Sequence, residues 1–122
     1  MPVPVLRLRS FLLTSIQKDL TDSQWSELAD KMLRRAGDEG VAGAIIDITG
    51  MQVMDSYAGR TLSAMGEMLR LRGVQVVVAG IQPDVAFSMS RLGLRLDRIE
   101  TTLDLDEALN VLGEMRGDDE HG

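Results

Sequence analysis

Two short runs of branched aliphatic residues most strongly limit the folds open to this chain. The runs span residues 44–48 (AIIDI) and 74–79 (VQVVVA), a length typical of strands that are covered on both faces. Between them lies a stretch with apolar residues at helical spacing. Its apolar face consists of Ala58, Leu62, Met65 and Leu69. Strands that alternate with amphipathic helices predict an α/β fold with a mostly parallel central sheet and right-handed crossovers.

The remaining segments extend this pattern at both ends of the chain. Val3–Arg9 and Phe11–Gln17 are typical of two strands joined by a tight antiparallel hairpin. Three further amphipathic stretches bring the number of helices to about four, and the short extended piece Ile99–Leu103 precedes the last of them. We therefore predict a mixed sheet in a single domain over residues 1–116, followed by a disordered acidic tail over residues 117–122.

Composition excludes several classes of function. The chain has no cysteine, which excludes a thiolate nucleophile, a disulfide framework and a cysteine-ligated zinc. The single histidine, His121, lies in the acidic tail, which is a poor place for a catalytic base. No glycine-rich phosphate loop and no serine-hydrolase elbow are present. We predict that the protein is not an enzyme and that it has no catalytic residue, no metal site and no cofactor.

Charge and hydropathy limit the partners and the compartment. The net charge of −6 argues against nucleic acid and against anionic membranes as partners, because both require clustered Lys and Arg. No apolar stretch approaches the roughly 18 residues needed to span a bilayer, and the N-terminus lacks the pattern of a signal peptide. The expected compartment is the cytoplasm.

Asp47 is the acidic residue with the most suggestive position. It lies near the carboxyl end of the first apolar run, where open α/β sheets bind ligands. One interpretation is a phospho-acceptor aspartate like that of a response-regulator receiver. Such a domain also needs an acidic pair after its first strand to hold magnesium, and the early strands here offer none. We favour a strand-end carboxylate that is hydrogen-bonded to backbone.

The dipeptide Asp55-Ser56 stands at the predicted start of the second helix, which should run from about Ser56 to Arg72. A serine in this position most often serves as the N-cap. A helix N-terminus also presents unpaired N–H groups and positive dipole, which accommodate a phosphate. The preceding apolar side chains, Met51, Val53 and Met54, indicate either a loop tucked on the core or a contact with a partner.

Several motifs of this chain together resemble the STAS domains of anti-sigma-factor antagonists, and among them the small stressosome scaffold proteins of the RsbS type. The similarity runs from about residue 3 to residue 115. It is carried by Leu13-Thr14-Ser15-Ile16-Gln17, Ile46-Asp47-Ile48-Thr49, Met54-Asp55-Ser56, Gly80-Ile81-Gln82-Pro83 and Ile99-Glu100-Thr101-Thr102-Leu103-Asp104-Leu105.

The resemblance implies a role in signalling by partner exchange. Ser56 occupies the phospho-acceptor position of the family, and Asp55, Ser56, Met54 and Thr49 are the residues expected to contact partners. The implied partners are a paralogous STAS sensor-scaffold protein, a serine/threonine switch kinase that is sequestered and then released, a phosphatase, and further copies in a large assembly. An alternative within the same superfamily is a free anti-sigma-factor antagonist that binds an anti-sigma kinase directly. Thr49 is a second possible phosphate acceptor, although a role in shaping its loop is the better interpretation.

Overall fold

The structure, a computed structural model, describes residues 2–116, and the predicted acidic tail at residues 117–122 lies outside them. Within the described residues, strands and helices follow one another in the predicted order. Their bounds are β1 (Leu6–Leu8), β2 (Phe11–Ser15), α1 (Asp22–Glu39), β3 (Gly43–Asp47), α2 (Ser56–Leu71), β4 (Gln75–Ala79), α3 (Pro83–Arg91), β5 (Glu100–Thr102) and α4 (Leu105–Arg116).

The strands form one five-stranded sheet in the order β1-β2-β3-β4-β5. β1 is antiparallel to β2, and the other neighbours are parallel, which confirms the predicted α/β fold with an N-terminal hairpin. β1 is shorter than the sequence predicted because Pro4 has no N–H to donate to a ladder. The carbonyl oxygen of Pro4 instead accepts a hydrogen bond of 3.0 Å from Thr14 Oγ1.

The two faces of the sheet are covered unequally. On one face, α1, α2 and α3 enclose the larger core, to which Ile46 and Val78 of the sheet and Trp25 and Leu62 of the helices belong. On the other face, α4 packs over β3, β4 and β5 and encloses a smaller core. Because side chains alternate along each strand, the short central runs supply both cores at once.

One ion pair attaches the N-terminal hairpin to α1, and a second lies within α1. Glu39 accepts from Arg35 at 2.6 Å and from Arg7 of β1 at 2.9 Å. These two hydrogen bonds, of which the one from Arg35 has the larger effect, hold the pKa of Glu39 below its usual value. Among residues 2–116, no helix combines the length and the apolar character needed to cross a membrane.

Candidate functional site

The loop between β3 and α2, residues 48–55, brings Ser56 to the carboxyl edge of the sheet. Asp47 fixes the start of this loop. Its Oδ1 accepts hydrogen bonds from Thr49 N (3.0 Å) and Thr49 Oγ1 (2.6 Å), and its Oδ2 accepts one from Ser15 Oγ (3.1 Å). The preferred interpretation of Asp47 as a strand-end carboxylate bound to backbone is confirmed. Thr49 shapes the loop through the same bonds.

Asp19, which follows β2, holds the middle of the loop. Its Oδ1 accepts from Gln52 N at 2.8 Å and from Val53 N at 3.1 Å. The loop also lies so close to the end of β2 that a Cβ on Gly50 would be 2.6 Å from backbone atoms of Gln17. Sequence reasoning missed Asp19. Its partners lie more than 30 residues further along the chain, and nothing in its local spacing indicates them.

The apolar side chains of the loop divide between core and surface. Met51 and Met54 are each only 2% exposed and belong to the larger core, whereas Val53 is 57% exposed. Met51 and Met54 therefore tuck the loop on the core, and Val53 is left exposed. The Met54 side chain is buried beneath the loop in this conformation. It could contact a partner directly only if the loop moved. Val53 is the apolar side chain that the loop presents.

Asp55, and not Ser56, is the N-cap of α2. Asp55 has extended backbone angles (φ −87°, ψ 178°), and its Oδ1 accepts from Ala58 N at 2.8 Å. The expectation that serine in this position acts as the cap was wrong. Ser56 is the first helical residue, and both it and Asp55 are exposed. In the described part of the chain, no hydrogen bond engages the Ser56 hydroxyl.

The surroundings of Ser56 are otherwise firmly packed. The next residue, Tyr57, shares a hydrogen bond with Ser26 that joins α2 to α1. Beside the loop, a groove of about 570 Å³ separates residues 49–52 from the start of α3 at residues 82–84. Over the described residues, no group of three or more His, Asp or Glu side chains is arranged to hold a metal ion. The loop and the start of α2 thus present an exposed serine hydroxyl that makes no hydrogen bond within the described residues.

Comparison with known proteins identifies the family. The STAS domain family matches residues 4–108, so this chain belongs to it. The structure is similar to that of a serine-to-glutamate variant of RsbS from Moorella thermoacetica, with a TM-score of 0.85 and 26% identity over 93% of this chain and 97% of that one. It is also similar to a chain in a structure of the stressosome, described as a signal integration and transduction hub. The TM-score there is 0.79, with 25% identity over 93% of this chain and 98% of that one.

Similar sequences occur in longer proteins. RsbRB of Bacillus subtilis, an RsbT co-antagonist protein, is 27% identical over 88% of this chain and 39% of its own length. Across the four RsbT co-antagonist proteins of that organism that match, the matched region is between 23% and 39% of the relative. This chain therefore corresponds to one part of those proteins.

Proposed function

We propose that this protein is a non-enzymatic stressosome scaffold and kinase antagonist, which sequesters a serine/threonine switch kinase and releases it when Ser56 is phosphorylated. The observation that carries the proposal is the free, exposed hydroxyl of Ser56 at the first position of α2 in an STAS domain. Because Asp55 caps the helix, the serine oxygen has no structural task in the described structure. Modification of Ser56 therefore need not unfold the helix.

Electrostatics gives the release mechanism. A phosphoserine carries about −1.5 to −2 charges at neutral pH. The helix N-terminus accommodates this charge in the free protein, because the dipole and the unpaired N–H groups of the first turn favour an anion. In a complex, the same charge would lie beside Asp55 and the exposed Val53, both facing the partner. A closely fitting apolar contact tolerates a desolvated charge poorly, so phosphorylation weakens binding of the kinase.

The partners follow from the same proposal. The similarity to RsbS and to a stressosome chain supports assembly with further copies and with a paralogous STAS sensor-scaffold protein. A kinase and a phosphatase complete the cycle, and ATP is then a substrate of the kinase. The proposed compartment is the cytoplasm. Asp55, Ser56, Thr49, the exposed Val53 and, if the loop moves, Met54 are the proposed contact residues.

Retention of the kinase in co-sedimentation tests the mechanism. Ser56→Asp places a fixed charge at the start of α2 and should release the cognate kinase from the assembled protein. Asn110→Asp is the control, because Asn110 is exposed on α4, which packs on the other face of the sheet from α2, and this variant should retain the kinase. Unchanged retention of the kinase by Ser56→Asp would contradict the charge mechanism.

The alternative function is that of a free anti-sigma-factor antagonist, which binds an anti-sigma kinase directly and is likewise controlled by phosphorylation. Membership of the STAS family supports this function as well. Particle size separates the two functions. A megadalton assembly formed with a paralogous STAS protein supports the scaffold, and a small protein that binds an anti-sigma factor one to one supports the alternative.

A further inference from the structure

The groove between residues 49–52 and residues 82–84, which we call the carboxyl-edge groove, opens beside the loop that leads to Ser56. Its volume is about 570 Å³. One wall is the β3–α2 loop. The other wall begins with the last two residues of Gly80-Ile81-Gln82-Pro83, one of the motifs that distinguish this chain, and continues with Asp84. The switch proposed at Ser56 leaves this second wall without a role.

Both walls of the groove are held in place by the fold. Asp19 accepts a hydrogen bond of 2.8 Å from Gln52 N, which fixes the loop wall. Gly80 packs against Thr49 and thereby joins the two walls at their base. Pro83 opens α3 in the first turn, where a backbone N–H is not needed. A groove with fixed walls loses little conformational freedom when a ligand enters it.

Three polar side chains at the groove have no task within the described structure. Gln52, Gln82 and Asp84 are exposed, and among residues 2–116 no hydrogen bond or ion pair engages their side chains. Gln82 is the N-cap residue of α3, yet its side chain makes no capping bond. A carboxamide offers both donors and an acceptor, which match the C=O and N–H of a peptide group. The groove is therefore suited to an extended polypeptide segment.

The charge of the groove indicates the kind of segment that fits. Asp84 lines the groove, and no Lys or Arg is among the lining residues. Asp55, on the same loop as one wall, is also exposed. A small free anion is disfavoured, because Asp84 already occupies the first turn of α3 and offsets the helix dipole. The complementary occupant is a segment that carries Lys or Arg.

Phosphorylation of Ser56 would sort the partners by their charge. It adds about −1.5 to −2 charges to a surface that already carries Asp55 and Asp84. A partner held by a close apolar contact, as proposed for the kinase, loses affinity. A partner that brings a basic segment gains affinity from the same charge. Of the proposed partners, the phosphatase is the one that must bind the phosphorylated form.

We propose that the carboxyl-edge groove is the docking site of the phosphatase, which lays a basic extended segment between Gln52 and Gln82 with a Lys or Arg beside Asp84. This inference rests on the proposed function, because it requires a phosphate on Ser56. The phosphatase hydrolyses the ester: water adds to phosphorus, the bond from phosphorus to the serine oxygen breaks, and the products are the serine hydroxyl and inorganic phosphate. Gln82 and Asp84 belong to the groove and not to the proposed kinase contact, so they separate the two partners.

Dephosphorylation kinetics of the full chain test the proposal. The parent and its variants are phosphorylated with the cognate kinase and ATP. Release of inorganic phosphate is then measured with the phosphatase purified by its activity on the phosphorylated parent. Asp84→Lys should lower kcat/KM about tenfold through a higher KM, and the difference should shrink as salt is added. Gln82→Ala should lower kcat/KM about threefold, because it removes hydrogen bonds to the docked segment.

Asp106→Lys is the matched control. Asp106 is the second residue of α4, as Asp84 is of α3, and it is also exposed. Because α4 packs on the other face of the sheet, this variant should keep the kcat/KM of the parent. A nonspecific alkaline phosphatase should hydrolyse all the phosphorylated proteins at one rate, since the Ser56 phosphate remains equally accessible in each.

Three results would overturn the docking site. They are parent-like dephosphorylation of Asp84→Lys, equal losses for Asp84→Lys and Asp106→Lys, and an equal loss of kinase labelling and dephosphorylation in Asp84→Lys. The second result would indicate overall charge alone, and the third would assign the groove to the kinase. Labelling by the kinase is measured first. A parent without phosphate on Ser56 contradicts the proposed function and this inference with it, whereas a labelled parent with unchanged Asp84→Lys kinetics contradicts the docking site alone.

Discussion

The N-termini of α2 and α4 are capped alike but are held in place differently. Each has an aspartate N-cap that accepts from the third helical residue, Asp55 from Ala58 N at 2.8 Å and Asp104 from Glu107 N at 2.9 Å. The other interactions at the start of α4 also come from neighbouring residues. Leu103 N donates to Glu107, and two acids occupy the first turn. The first helical residue is a half-buried leucine. The start of α4 thus depends on its own few residues.

At α2, distant parts of the chain position the start. Asp19 reaches the loop from more than 30 residues away, and Gly80 of the neighbouring strand end packs against Thr49. The first turn carries no acid, and the first helical residue is the exposed Ser56. The difference is that α2 presents an exposed hydroxyl at a helix start that distant residues hold in place, whereas neighbouring residues alone hold the start of α4.

The largest loss of stability is expected at the close contact between Gly80 and Thr49, in the loop before α2. A Cβ on Gly80 would lie 1.9 Å from Thr49 Oγ1, and Gly80 has a φ of +77°. Gly80→Ala should lower the free energy of unfolding by about 3 kcal/mol. Gly93→Ala is the control, because its φ is +69° but nothing lies within 4 Å of the added Cβ, and it should cost about 1 kcal/mol. Equal losses in urea unfolding would show that the packing of Thr49 against Gly80 contributes nothing.

A smaller effect is expected for Asp19. Asp19→Ala removes the acceptor of two backbone N–H groups in the loop before α2, and should cost about 1–2 kcal/mol. Hydrogen exchange at Gln52 and Val53 should accelerate, while exchange at the start of α4 should not change. Asp38→Ala, an exposed aspartate near the end of α1, serves as the control. Unchanged exchange at both loop amides would contradict the view that Asp19 holds the loop.

The smallest changes in the free energy of unfolding distinguish the two N-cap aspartates from Ser56. Asp55→Ala and Asp104→Ala should each lower the free energy of unfolding by about 1 kcal/mol, because each removes one N-cap. Ser56→Ala should change it by no more than about 0.5 kcal/mol. A loss for Ser56→Ala as large as that for Asp55→Ala would mean that the hydroxyl stabilises the helix after all.

Local patterns in the sequence predicted most of the fold. The short β-branched runs at residues 44–48 and 74–79 became β3 and β4 almost unchanged, because strand length and helical periodicity are properties of neighbouring residues. The N-cap Asp104 was also predictable from its position before an amphipathic stretch. The short strand β5 was expected at residues 99–103 and occupies Glu100–Thr102.

The candidate site was less predictable, for two physical reasons. Asp55 and Ser56 are both good N-cap residues, and a sequence pattern does not locate a helix start to a single residue, so it did not decide which of them caps α2. The hold of Asp19 on the loop depends on contacts between distant segments, which no local pattern encodes. Side chains of a loop follow no regular period, so the sequence also did not indicate that Val53 faces solvent while Met54 faces the core.

Phosphate mapping on the purified protein tests the central claim most directly. After incubation with the cognate kinase and ATP, mass spectrometry of the parent should find one phosphate, on Ser56. Ser56→Ala, folded with the stability of the parent, should incorporate none. Labelling of Ser56→Ala to the same extent as the parent, or a phosphate on Thr49 or Asp47 instead, would contradict the assignment of Ser56 as the switch.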